Sequence, residues 1–262
     1  MSALTGLPRL RAPRRLAHGE EASVVEHLDE LRSRIFVCLG ALVVGVAAGF
    51  VVHARLIHAL ELTLPREYRN QLITLAPGEA FMTSLWVSIY FGLILALPVL
   101  FWQIWSFFIP ALERSQAQLI RWFVVLAWVL ACCGLGFGYY VALPAAEHFL
   151  TNYGSGQLHY LPQAKPFITF CTHVLLAMAA VFELPLFVVA ATQLGILKTR
   201  ALRKNRRIGF FVVCCIGVAL PGVDPVTTIV ETIPLLALYE GSIWLSVLLD
   251  RRSRRLRLAE AA

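Results

Sequence analysis

Charge is scarce in this sequence: Asp, Glu, Lys and Arg make up 15% of 262 residues. Soluble domains carry closer to a quarter, so a water-soluble globular protein is excluded. Metal-ligand patterns are missing as well. His53, His58, His148, His159 and His173 are scattered, and none forms a helix-face pair suited to a metal ion. There is no nucleophile elbow, no glycine-rich phosphate loop and no pair of acids at catalytic spacing, so nothing specifies an enzyme or a cofactor. The six cysteines, Cys38, Cys132, Cys133, Cys171, Cys214 and Cys215, all lie in apolar stretches without a C-x-x-C pair. They read as small apolar packers rather than as disulfides. No apolar core directly follows Arg9, Arg11, Arg14 and Arg15, because Glu20, Glu21 and Glu26 intervene. A cleavable signal peptide is therefore not expected, and Arg14-Arg15 reads as a flank rather than an export signal. No internal repeat or low-complexity linker occurs.

What the sequence has in abundance is apolar surface, 58% of its residues with a mean hydropathy of +0.71. A spanning helix takes about 20 residues, and the apolar runs predict six spans in one all-α membrane domain over 33–249, at about 33–53, 81–109, 122–143, 167–193, 208–221 and 227–249. The second carries Gly92 and Pro98, which invite a kink. Tyr90, Trp102 and Trp105 read as interfacial or groove aromatics. The third contains Gly134, Gly136 and Gly138, spaced for close helix contact, and closes at Pro144, with a polar loop from Glu147 to Lys165. The fifth, about 14 residues long, predicts local thinning of the bilayer or a helix that does not fully cross.

Orientation follows from the basic residues, which are retained in the cytoplasm during insertion. Segments 1–34, 110–121, 194–207 and 250–262 carry 19 Lys and Arg, whereas 54–80 and 144–166 carry 4. Both ends are predicted inside, with 1–32 a cytoplasmic N-terminal segment and 250–262 a basic cytoplasmic tail. The net charge of +7 is thereby a topology signal, and no nucleic-acid partner is expected.

Carboxyls inside a bilayer are costly and default to functional candidates. Glu183, in Phe182-Glu183-Leu184-Pro185, and Glu231 and Glu240 on the last span qualify, against the alternative of protonated acids bonded to a neighbouring helix. Glu240, near the inner end, also reads as an interfacial acid. The segment His27-Leu28-Asp29-Glu30-Leu31-Arg32-Ser33-Arg34 places acids where flanking needs only bases. It reads either as a contact surface or as a helix N-terminus enriched in acids for its dipole.

Taken in order, these pieces resemble the TatC subunit of the twin-arginine protein translocase, over about residues 25–245. His27 to Arg34 is similar to the family's H-L-x-E-L-R-x-R, and Pro77-Gly78-Glu79-Ala80-Phe81 to its P-x-E-x-F. Leu97-Pro98, Gln103-Ile104-Trp105-Ser106-Phe107 and Pro110-Ala111-Leu112 are similar to its L-P…Q-x-W-x-F-x-x-P-x-L. Phe182-Glu183-Leu184-Pro185, the basic Arg203-Lys204-Asn205-Arg206-Arg207, the turn Pro221-Gly222-Val223-Asp224-Pro225, Ile233-Pro234 and Leu238-Tyr239-Glu240 complete the match.

The resemblance implies a glove-shaped six-helix fold with two short final spans. It also implies a receptor that binds the paired arginines of signal peptides on folded precursors, assembled with single-span subunits of the TatA and TatB type in a bacterial inner membrane. Glu30, Arg32 and Phe107 are implied at that binding site. The family's second acid falls at Gln116, so Glu113, three residues earlier, is the expected substitute. Glu183 is implied as an intramembrane polar contact for partner helices, and Pro221 and Asp224 as the family turn. Trp86, Ala179 and Leu220 depart from the family pattern. The competing expectation is a proton-coupled small-solute transporter using Glu183, but the repeated halves and matched broken helices of many such transporters are missing.

Overall fold

The computed structural model describes residues 24–108, 117–153, 160–193, 195–222 and 224–260, with side chains described within 28–104, 123–153, 160–193, 195–222 and 224–250. Helices dominate these residues because a backbone in hydrocarbon must satisfy its N–H and C=O groups within its own segment. In chain order they are α1 (Val24–Glu61), α2 (Glu79–Phe108), α3 (Ala117–Phe137), α4 (Leu143–Asn152), α5 (Ala164–Val181), α6 (Leu184–Gln193), α7 (Thr199–Lys204), α8 (Arg206–Ala219) and α9 (Pro225–Glu260).

Among the described residues, five stretches are long and apolar enough to cross a bilayer: Leu28–Glu61, Glu79–Ile104, Phe123–Asn152, Ala164–Gln193 and Pro225–Asp250. The resemblance implies two short final spans; α8 has 14 residues. By contrast α9 is long: it starts at a capped turn and runs unbroken through Pro234 and past Asp250.

Prolines shape the middle of the bundle. The expected loop from Glu147 to Lys165 is helix as far as Asn152, because α3 passes through a π turn, Gly138–Ala142, into α4. There the Leu143 N–H bonds Gly138 O, and Pro144 sits in the first turn of α4, where its missing N–H costs nothing. The fourth apolar run is two helices rather than one. Pro185 cannot donate to Val181, so α5 ends and α6 begins across Phe182-Glu183.

Close approach at small residues holds the helices together, as expected where lipid gives no hydrophobic drive between them. Gly45 and Gly49 of α1 face Ser88 and Gly92 of α2. A Cβ built on Gly45 would stand 2.6 Å from Gly92 O, and one on Gly92 would stand 2.5 Å from Val46 N. On α3, Gly134 meets the Met178 carbonyl and Gly138 meets Leu175 and Met178, while Gly136 faces open space. Residues four apart share a helix face and residues two apart do not. The same device joins α8 to α9, where Gly209 lies under the Tyr239 ring and Gly217 against Thr232.

The main core centres on α5, whose Ile168, Cys171, Val174 and Met178 are buried among Leu60, Leu143, Leu235 and Ile243. A smaller cluster, Phe101, Ala127, Ala131, Leu186 and Ala190, sits where α2, α3 and α6 meet. Outward faces are apolar, with Val44 and Val51 of α1 at 69% and 83% exposed, as lipid contact requires. At the end away from the basic segments, Ile73 N donates to Pro162 O and Ala164 N to Ile73 O, at 3.0 and 2.9 Å. This bridge ties the segment ahead of α2 to the start of α5.

Gly92→Val is expected to force α1 off α2 and lower the thermal unfolding midpoint in detergent, by an overpacking cost of about 1–3 kcal/mol. Gly40→Val, at a site where a Cβ meets nothing within 4 Å, should leave the midpoint nearly unchanged. Equal shifts for both would refute the backbone-contact account.

Candidate functional site

The first and third of the sequence motifs converge in space. On α1, Glu30 and Arg34 are four residues apart and share a face, and Arg34 Nη2 donates to Glu30 Oε1. The other terminal nitrogen, Arg34 Nη1, donates at 3.3 Å to both the carbonyl and the side-chain Oε1 of Gln103 on α2. A chain of charge-assisted bonds thus runs from Glu30 through Arg34 to Gln103, half-buried between the helix ends. Arg32 turns the other way and lies over the Phe36 ring, 5.7 Å from its centroid. The Phe107 backbone belongs to α2, one turn beyond Gln103; its side chain, Glu113 and Gln116 lie outside the described residues.

Chemically, the Glu30 end of this chain suits a cation. An ionised carboxylate has about four lone-pair sites, and Arg34 Nη2 occupies one of those of Glu30. Arg34 and Gln103 fix where the carboxylate points.

Glu183 occupies the α5–α6 break. It is 1% exposed, and neither carboxyl oxygen has a hydrogen-bond partner among the described residues. The surroundings are apolar: Leu186 packs into the smaller cluster, and Gly134 brings α3 against Met178 and Phe182. Such a group gives nothing to the fold that an apolar residue would not give better.

The other acids sort by partner. Asp224 caps α9: its Oδ1 accepts the Thr227 N–H at 2.8 Å and its Oδ2 accepts the Thr227 hydroxyl, with Pro225 in the first helical position. Pro221 ends α8, since Leu220 before it takes the extended conformation that a following proline demands. Glu240 is an interfacial acid paired with Arg206 at 2.8 Å and with the Trp244 indole at 3.2 Å. Glu231 is fully buried, and its oxygens, like those of Glu183, have no partner among the described residues.

One buried acid escaped the sequence. Glu147, placed in a polar loop on local composition, sits on α4 at 4% exposed. Its Oε1 accepts the Thr63 hydroxyl at 2.8 Å and the Cys171 thiol at 3.4 Å, tying α4 to the end of α1 and to α5. The apolar Leu143, Ala146 and Leu150 around it were the available sign of a continuing helix. Among the described residues, no cluster of His, Cys, Asp and Glu could hold a metal ion.

Comparison with known proteins places this geometry in context. A family model described as "Sec-independent protein translocase protein (TatC)" matches residues 26–234. A Sec-independent protein translocase protein TatC from Desulforapulum autotrophicum is 34% identical over 227 residues, covering 86% of this chain and 84% of that one. The chloroplastic protein of that name from Pisum sativum is 31% identical over 90% of this chain and 67% of its own length. A crystal structure titled "Twin Arginine Translocase Receptor- TatC" superposes with a TM-score of 0.72 at 29% identity, covering 85% of this chain and 98% of that one.

Two outcomes follow for stability. Asp224→Ala should lower it by about 1 kcal/mol through loss of the cap, and Asp224→Ser should recover most of that; equal losses in thermal unfolding would count against capping. Glu183→Leu removes an unsatisfied buried carboxyl, so the isolated chain should unfold at the same or a higher temperature. A marked drop in the midpoint would make Glu183 a structural residue.

Proposed function

The chain belongs to the TatC family of Sec-independent protein translocase proteins, and from that premise we propose that it is the receptor subunit of a twin-arginine translocase. As a family member it is a component of a protein translocase, a transport protein embedded in a membrane by several apolar helices. In the proposed role it binds the paired arginines of signal peptides on folded precursors at its cytoplasmic face. It organises their export together with single-span subunits of the TatA and TatB type, driven by the proton motive force.

The observation that carries this reading is the chain Glu30–Arg34–Gln103, in which the two family motifs join at one end of the α1–α2 hairpin. Guanidinium groups favour planar, bidentate partners, and a carboxylate held in place by an internal arginine is prepared for a visiting one. Arg32 and Phe107 are assigned to the same binding role, and Glu113 takes the part of the second acid in place of Gln116. Glu183 is the intramembrane contact for a polar residue on a partner helix or on the inserted signal peptide.

The proposed topology has six spans in a glove-shaped arrangement, with both ends cytoplasmic as the 19-to-4 division of basic residues requires. Here α8 crosses a locally thinned bilayer. A bacterial inner membrane is the proposed location. No observation favours the solute-transporter alternative.

Glu30→Gln in the full chain is expected to weaken binding of a peptide carrying two adjacent arginines by about tenfold or more, the size of a charge-assisted bond lost. A control peptide with two glutamines in their place should bind weakly to both proteins. Glu113→Ala should give a similar loss. Unchanged affinity in both variants would remove the proposed site, and normal export of folded paired-arginine precursors in a deletion strain would remove the function itself.

A further inference from the structure

Across the membrane-embedded contact between α2 and α5, the Tyr90 hydroxyl and His173 Nε2 are 2.7 Å apart, and their rings meet edge to face with centroids 5.3 Å apart. His173 is exposed, Tyr90 is half-buried, and Trp86, one turn earlier on α2, tilts against Tyr90 with 48% of its own surface exposed. Depth follows from helix rise. Tyr90 lies eleven residues into α2 and His173 nine residues into α5, about 16 and 14 Å from the starts of their helices, where Glu79 of α2 lies beside Lys165 of α5. In a hydrocarbon layer about 30 Å thick, both groups stand near the midplane, too deep for a ring held by a hydrogen bond to reach the headgroups.

An exposed polar ring at that depth is costly unless it finds a partner. The Tyr90 hydroxyl answers one ring nitrogen, and Nδ1 has no partner among the described residues. Lipid tails cannot supply a partner, and a protein segment in the membrane must itself be helical. A side chain with an amide or hydroxyl, projecting from such a helix beside Trp86, satisfies Nδ1 and removes the exposed ring from lipid.

We propose that Trp86, Tyr90 and His173 form a docking site on the α2–α5 face for a transmembrane helix that carries a hydrogen-bonding side chain near its midpoint. The site is separate from Glu183, which is buried at the α5–α6 break, and it stands whether or not Glu183 contacts a partner. One bond between membrane helices corresponds to roughly a threefold to thirtyfold change in association.

The test uses the full chain reconstituted in phosphatidylcholine vesicles, with energy transfer to a labelled leucine-based spanning peptide that carries one central glutamine, or leucine at that position. The glutamine peptide should bind at least about threefold more tightly. Tyr90→Phe together with His173→Phe preserves the ring packing, and it should abolish that preference while Glu183→Ala preserves it. If the double variant unfolds, Tyr90→Phe and His173→Phe tested singly should each reduce the preference. Equal binding of the two peptides to the unaltered chain, or a preference that survives in the Phe variants, overturns the proposal. A preference lost only with Glu183→Ala also overturns it, and assigns the contact to the proposed partner role of that residue.

Discussion

Where the surrounding solvent is as apolar as the side chains, helices gain little by hiding leucine from it, and association rests on how closely backbones can approach. In this chain that approach is set by a few small residues. Gly45 and Gly49 meet Ser88 and Gly92 to make the α1–α2 hairpin, Gly134 and Gly138 seat α3 on α5, and Gly209 and Gly217 seat α8 on α9. The rest depends on these contacts. Without the α1–α2 crossing, Arg34 would not reach Gln103, and without the α3–α5 contact Glu183 would not be enclosed.

The same dry surroundings divide the polar residues into two kinds. Some have their partners within the chain: Glu147 with Thr63 and Cys171, Asp224 with Thr227, and Glu240 with Arg206. Each pins one element to another or caps a helix, and each is spent on the fold. Glu183 and Glu231 are buried with no such bond among the described residues. A group that is costly to bury and returns nothing to the fold is where a visiting helix can find a selective contact. Backbone breaks follow the same division. Pro144 is absorbed by a π turn that keeps its helix continuous, whereas Pro185 opens a break that Glu183 occupies.

The two ends of the bundle differ in kind. At one end, short loops are bridged by backbone hydrogen bonds at Ile73, Pro162 and Ala164, and Tyr68 packs edge-on against Tyr160, 5.3 Å between centroids. This end is closed by its own chain. At the other end, Glu30 and Arg34 of α1 and Gln103 of α2 form a half-buried chain of hydrogen bonds between the helix ends.

By itself the sequence determined the class of the molecule, since hydropathy and run length are additive over local residues and the bilayer reads them directly. It likewise supplied the family, because ordered motifs survive in one dimension, and it marked Glu30, Glu183 and Asp224 by residue type and place. Only the tertiary structure decided what each of these touches: that Glu30 is already held by Arg34, that Asp224 is a helix cap, and that Gly134 and Gly138 make contacts while Gly136 does not. It alone moved Glu147 from a loop into the core, divided the fourth apolar run at Glu183, and set His173 against Tyr90. Those facts depend on which residues of distant segments come within about 3 Å, and hydrophobic pattern carries no record of that distance because lipid-facing and helix-facing positions are for the most part apolar alike.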